Sequence, residues 1–102
     1  MTETMNEDPV GGSTVEPGAL TLLYFAWLRE RVGTGEESVR PPPEVASVAA
    51  LIDWLVSRGP GYAAAFANRR TVRCAVNQDF ASPDTPVRPG DEIAFFPPVT
   101  GG

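Results

Sequence analysis

Apolar residues are spaced along the chain in two regular ways, one typical of strands and one typical of a helix. Residues 20–26 are almost continuously apolar and aromatic, which predicts a largely buried strand, and residues 71–76 and 92–96 alternate as strands do. Apolar side chains in residues 48–56 instead recur at i, i+3, i+4, i+7 and i+8, which predicts a helix with one apolar face. Ser47 precedes this helix as its predicted N-cap. The apolar face consists of Val48, Leu51, Ile52, Leu55 and Val56.

Glycine and proline mark where the predicted elements end. Gly33 closes a helical turn predicted over residues 27–32, and Pro41-Pro42-Pro43 end a second strand predicted over residues 36–40. Three further signals are Gly59-Pro60 after the main helix, an Ala-rich helical turn or two within residues 62–68, and Pro89-Gly90 in a predicted type II turn.

The predicted order is strand, strand, helix, strand, short strand, strand, and Phe80-Ala81 form the short one. One long helix with four or five strands predicts an α+β fold in which a mixed sheet packs on that helix. This is the β-grasp, or ubiquitin-like, arrangement.

Aromatic residues are expected on both faces of this sheet, because side chains alternate along a strand. If the helix covers the face that bears Tyr24 and Phe95, the opposite face carries Phe25, Phe80 and Phe96. Aromatic side chains on an uncovered face favour a surface where another protein docks. The alternative is that these three side chains pack under loops.

The chain divides into three parts by composition. Residues 1–18 contain four acids, no basic residue and almost no large apolar side chain, so we expect a disordered acidic leader. Residues 19–96 form the predicted β-grasp domain, with order beginning at Ala19 or Leu20. Residues 97–102 form a flexible C-terminal tail.

The tail, Pro97-Pro98-Val99-Thr100-Gly101-Gly102, has the composition of a narrow stalk. Its six residues reach roughly 20 Å when extended, because each spans about 3.3–3.6 Å. Pro97-Pro98 favours a stiff exit without internal hydrogen bonds, and the two glycines leave no side chain beside the terminal carboxylate. Such an end could enter the active site of another protein. A carboxylate must first be activated, most simply as a mixed anhydride with AMP, before a nucleophile can attack it.

Composition excludes several other kinds of site. The chain has no histidine and Cys74 is its one cysteine, which excludes Ser-His-Asp triads, Cys-His pairs, histidine metal sites and internal disulfides. Cys74 lies within a predicted strand, so we interpret it as a small buried hydrophobe rather than a persulfide carrier. The formal net charge of −5 disfavours nucleic-acid binding. No long apolar run or basic apolar leader predicts membrane insertion or secretion, so we expect a cytoplasmic protein.

Three segments together resemble the small subunit of molybdopterin synthase, the MoaD family of sulfur carriers. They are LLYFAWLRERVG, AVNQ and GDEIAFFPPVTGG, and the resemblance extends over about residues 20–102. It implies that Gly102, preceded by Gly101, is adenylated and then thiocarboxylated. It also implies that Phe25, Phe80 and Phe96 contact a partner, as do Pro97, Pro98, Val99 and Thr100.

The resemblance further implies that the catalytic groups belong to other proteins. The chain would bind no cofactor or metal itself, and ATP would be used by an activating enzyme of the MoeB type, similar to ubiquitin E1. The thiocarboxylate would enter a MoaE-type large subunit, where sulfur passes to cyclic pyranopterin monophosphate to form molybdopterin. Two carriers would flank a dimer of large subunits in a heterotetramer.

Three alternatives share part of this description. A sulfur carrier for thiamine or cysteine synthesis would have the same fold and tail but a different acceptor. A ubiquitin-like modifier would be joined to other proteins through an isopeptide bond. A plain binding module would have a tail that no enzyme activates.

Overall fold

The computed structural model describes residues 18–98, and this part of the chain forms five strands and three α-helices. The strands are β1 (Leu20–Tyr24), β2 (Glu36–Val39), β3 (Arg73–Val76), β4 (Asp79–Ala81) and β5 (Glu92–Phe96). The helices are α1 (Trp27–Val32), α2 (Val48–Val56) and α3 (Pro60–Ala65), and one 3₁₀ turn covers Arg69–Thr71. The predicted leader, residues 1–18, lies outside the described residues except for Gly18.

The five strands form one mixed sheet in the order β2-β1-β5-β3-β4, which confirms the predicted α+β fold. The central pair, β1 and β5, is parallel, with Leu22 opposite Ile93, while the other three pairs are antiparallel. A parallel pair needs a crossover connection, and the long segment between β1 and β5 provides it. The last strand of the chain therefore lies in the middle of the sheet.

One face of the sheet packs against α2 and forms the core. Leu22, Ile93 and Phe95 are fully buried on this face, as are Leu51 and Leu55 of α2. The Phe95 ring lies beside Tyr24 in a stacked arrangement and meets Phe66 edge to face. Burying such rings contributes about 1.5–3 kcal/mol each to folding. The predicted alternation of β1 and β5 is therefore confirmed.

The local signals at the helix and turn ends are largely confirmed. The Ser47 side chain accepts a hydrogen bond from the Ala50 backbone N–H, so it caps α2 as predicted. Gly33 closes α1 in the left-handed conformation, at φ 99°. The backbone N–H of Asp91 donates to the Arg88 carbonyl, and Gly90 has φ 93°, as a type II turn requires.

The connection after α2 differs from the prediction in its details. Helix α2 ends at Val56, before the predicted stop at Gly59-Pro60, and Pro60 is the first residue of α3. Proline suits this position, since the N–H that it lacks has no partner inside a helix and its φ is already helical. The Ala-rich helix therefore covers Pro60–Ala65 rather than lying within 62–68. Helix α2 remains the longest of the three described helices.

Candidate functional site

The root of the C-terminal tail lies at the end of the central strand. Strand β5 ends at Phe96, and Pro97 and Pro98 follow it half-buried and outside any strand. Because β1 is parallel to β5 and β3 is antiparallel, the end of β1 and the start of β3 flank this point. The other residues of the predicted tail, Val99, Thr100, Gly101 and Gly102, lie outside the described residues.

An aromatic surface, which we define as Phe25, Phe80 and Phe96, lies on the sheet face away from α2. Phe80 is 85% exposed and Phe25 is 49% exposed, and these are the exposed large hydrophobic side chains of the described residues. Phe96 is half-buried, and its ring centroid lies 6.1 Å from that of Phe80. The structure therefore brings Phe80 and Phe96 into ring contact on this face, while Phe25 follows β1 beside the end of β5, where its backbone N–H donates to the Phe95 carbonyl.

Small and aliphatic side chains lie next to the aromatic surface, on the same face of the sheet. Leu23 of β1 pairs with Ala94 of β5, Ala94 pairs with Ala75 of β3, and Ala75 pairs with Phe80 of β4. All of these except Phe80 are half-buried, on the sheet face opposite α2. This face thus carries small and aliphatic side chains beside the exposed ring of Phe80.

Arg73 also belongs to this face, and our sequence analysis assigned it no role. It is the register partner of Phe96, and paired residues of adjacent strands direct their side chains to the same face. Arg73 is exposed, and it stands at the start of β3, where the tail leaves β5. The signal was available in the sequence, since Arg73 precedes Ala75 by two residues and so shares its face.

Comparison with known proteins identifies the family. Residues 22–102 match the ThiS family. The chain belongs to the ThiS family. It is 40% identical to the molybdopterin synthase sulfur carrier subunit of Escherichia coli strain K12, in an alignment that covers 81% of this chain and 99% of the relative.

Solved structures of similar proteins confirm the fold of this ThiS family member. A putative molybdopterin converting factor subunit 1 from Pyrococcus furiosus superposes with a TM-score of 0.66 at 30% identity, covering 79% of this chain and 98% of that one. SAMP1 from Haloferax volcanii, a small archaeal modifier protein, superposes with a TM-score of 0.63 at 29% identity, covering 83% and 100%.

A polar cluster on the core side holds edge strand β2 against the helices of this ThiS family member. The hydroxyls of Tyr24 and Tyr62 both donate to Glu37 Oε2, at 2.8 and 2.7 Å, and Arg58 lies 3.5 Å from the other oxygen. The Arg58 guanidinium also lies over the rings of Trp54 and Tyr62. Burial, and the hydrogen bond to Glu37, raise the pKa of both tyrosines. The members of this cluster bind one another through hydrogen bonds and an ion pair, so we assign the cluster a role in stability.

Cys74 is buried, as the sequence predicted. It is 7% exposed on the core face of β3, and burial raises the pKa of its thiol to about 12. A thiol with that pKa is protonated at neutral pH, whereas the thiolate is the reactive form. The structure thus gives this side chain no nucleophilic role.

The described part of the chain contains neither a metal-binding group nor a membrane span. Residues 18–98 include no cluster of three or more His, Cys, Asp or Glu side chains that could hold a metal ion. No helix in the same range has the length and apolar character needed to cross a bilayer.

Proposed function

We propose that this protein is the sulfur carrier subunit of a molybdopterin synthase and donates sulfur from a thiocarboxylate at Gly102. The observation that carries the proposal is the position of the tail root, at the end of the central strand and bordered by exposed Phe25 and Phe80. A docked partner that covers the aromatic surface would receive the tail at the same time. The likeness to the Escherichia coli sulfur carrier subunit indicates which chemistry this arrangement serves.

The proposed chemistry requires two exchanges at the terminal carboxyl group. The Gly102 carboxylate attacks the α-phosphorus of ATP, which forms an acyl-adenylate and releases pyrophosphate. Hydrosulfide from a sulfur donor then attacks the acyl carbon and displaces AMP, which leaves with one of the original carboxylate oxygens, and loss of the S–H proton gives the thiocarboxylate. Gly101 and Gly102 suit this route because neither has a side chain that would block a narrow active site.

The second stage takes place in the partner. The thiocarboxylate sulfur attacks a carbon of cyclic pyranopterin monophosphate and displaces an oxygen leaving group, which forms a thioester between Gly102 and the pterin. Water then cleaves the acyl C–S bond, so the sulfur stays on the pterin and the carboxylate returns to Gly102. Docking holds sulfur and substrate in one site, which replaces a bimolecular encounter with an effectively intramolecular one. This chain supplies position and sulfur, and the partner supplies acid-base catalysis.

The proposal names two protein partners. The first is a MoaE-type large subunit, in a heterotetramer, contacted by the aromatic surface and by Pro97, Pro98, Val99 and Thr100. The second is a MoeB-type activating enzyme that uses ATP, while this chain binds no cofactor. We propose a cytoplasmic location, where these partners and their nucleotide substrate would meet.

Intact-mass measurement tests the proposed activation. The full chain is incubated with ATP, a MoeB-type activating enzyme and a sulfur donor, and we expect its mass to increase by the difference between sulfur and oxygen. A chain that lacks Gly102 should show no increase and form no pyrophosphate. The thiocarboxylate form, mixed with a large subunit, should then convert cyclic pyranopterin monophosphate. An unchanged mass of the full chain, under conditions that load a known sulfur carrier, would contradict the proposal.

A second candidate function is protein modification, which the likeness to SAMP1 of Haloferax volcanii favours. The same acyl-adenylate would then transfer Gly102 to an amine of another protein and release AMP. Conjugates that survive denaturing lysis and disappear when Gly102 is deleted would support this candidate. A thiocarboxylate without such conjugates would support the sulfur carrier.

A further inference from the structure

Arg73 places a positive charge at the border between the aromatic surface and the tail root. It pairs with Phe96, the last residue of β5, so its side chain shares a face with that ring. Phe80 and Phe96 are in ring contact on the same face. Any protein that covers these rings and receives the tail must also approach the Arg73 guanidinium.

The charge of Arg73 is not compensated within residues 18–98. Its Nη1 donates to the Arg70 carbonyl at 3.2 Å, which occupies one of the five N–H donors of the guanidinium. The ion pairs between described residues are Arg58 with Glu37 and Arg69 with Asp53, and neither includes Arg73. The Arg73 guanidinium on strand β3 thus keeps further N–H donors that could bind an acceptor on another protein.

Docking would bring this guanidinium to the rim of the interface. Opposite charges that face each other across a rim favour the correct partner over others, and a guanidinium can bind a carboxylate through two parallel hydrogen bonds. We infer that Arg73 is a specificity contact, and that the protein which docks on the aromatic surface presents a carboxylate to it beside the entrance for the tail. This inference rests on the proposed function and adds the charge that its partner must carry.

Charge reversal at Arg73 tests the inference. Affinity for the large subunit of molybdopterin synthase from the same genome is measured by calorimetry at low and high salt, for the wild type, Arg73→Glu, Arg73→Met and Arg88→Glu. Arg88 is the matched control, because it is also exposed but lies in the turn before β5, at the opposite end of that strand. Thermal unfolding confirms that each variant is folded.

We expect Arg73→Glu to weaken binding at least about tenfold at low salt, with a smaller loss at high salt, because salt screens a rim charge. Arg73→Met, which keeps an apolar stem, should lose less, and Arg88→Glu should bind as the wild type does. Equal affinities for Arg73→Glu and Arg88→Glu, or a loss that salt does not change, would overturn the inference and leave the proposed function intact. If the wild type does not bind the large subunit at all, the proposed function fails and the inference fails with it.

Discussion

At the scale of single residues, burial decides what the nucleophilic side chains of this protein can do. Cys74 and Tyr24 both carry groups that react once deprotonated, yet they are 7% and 1% exposed and lie on the core face. Burial disfavours the charged form, and it raises the pKa of each above its ordinary value. Neither Cys74 nor Tyr24 therefore takes part in the proposed chemistry, whose reactive group is the carboxyl group at the end of the tail.

The raised pKa of Cys74 predicts a loss of stability in mild alkali. The thiol has an ordinary pKa of 9.0 and a folded-state pKa of about 12, so above pH 9 the unfolded chain releases a proton that the folded chain keeps. The free energy of unfolding should then fall by up to about 1.4 kcal/mol per pH unit. Urea unfolding at pH 8, 9 and about 10 measures this slope.

The control for this prediction is Cys74→Ala, which removes the thiol from the same buried position. Its baseline stability should be lower, because a small cavity remains, and its free energy of unfolding should fall less between pH 8 and about 10 than that of the wild type. Tyr24 and Tyr62 cause the fall that remains, since burial raises the pKa of both above the ordinary value of 10.0, near which the unfolded chain loses their protons. An equal slope in the wild type and Cys74→Ala would show that the thiol is not the source.

At the scale of elements, the short helices α1 and α3 hold each other in place through a close backbone contact. A Cβ atom on Gly61 would lie 2.7 Å from the Arg31 carbonyl oxygen and 3.6 Å from that of Val32. The Arg31 side chain also donates to the Ala64 carbonyl, at 3.5 Å, and its guanidinium lies over the Trp27 ring. Gly61 is therefore required by the approach of two backbones rather than by its own conformation.

We predict that Gly61→Ala destabilises the protein by up to about 2 kcal/mol. Alanine has the higher helix propensity, by about 1 kcal/mol, but overpacking against a fixed backbone typically costs about 1–3 kcal/mol and should outweigh it. The matched control is Gly59→Ala, since a Cβ there meets nothing within 4 Å and the backbone is extended. Urea unfolding should show a loss for Gly61→Ala alone, and equal stabilities would contradict the packing argument.

The elements that the sequence predicted are those whose signal is local and periodic. The stripe of α2 and the alternation of β5 encode burial directly, so Leu51, Leu55, Ile93 and Phe95 were placed correctly. The helix boundaries near Pro60 were placed incorrectly, because a proline can follow the end of one helix and can also be the first residue of the next. Alternation alone places Arg73 on the face of Ala75, but its position beside the tail root depends on the register between β3 and β5, which no local pattern specifies.

At the scale of the whole molecule, the two faces of the sheet carry aromatic residues with different roles. Phe95 faces α2 and is fully buried, whereas Phe80 on the other face is 85% exposed. An exposed ring contributes little to folding, and aromatic side chains are enriched at protein interfaces. Phenylalanine thus stabilises the core on one face of the sheet and, in our proposal, contacts the partner on the other.

This division predicts that folding and docking can be separated by two substitutions of phenylalanine. Phe95→Ala should lower the free energy of unfolding by about 3–5 kcal/mol, because it leaves a cavity in the core. Phe80→Ala should change stability by less than about 0.5 kcal/mol, yet weaken binding to the large subunit by about 1–2 kcal/mol, roughly five- to thirtyfold. Urea unfolding and calorimetry on the same preparations measure the two quantities.

Stability and affinity for the large subunit together distinguish the two roles. Phe80→Ala keeps the tail and its root unchanged, so loss of its affinity for the large subunit would place that ring in the docking surface rather than in the fold. If Phe80→Ala unfolds as easily as Phe95→Ala, the ring supports the core and the aromatic surface is not free to dock. If Phe80→Ala is stable and binds the large subunit as tightly as the wild type does, the partner uses another surface, and the tail must reach it from there.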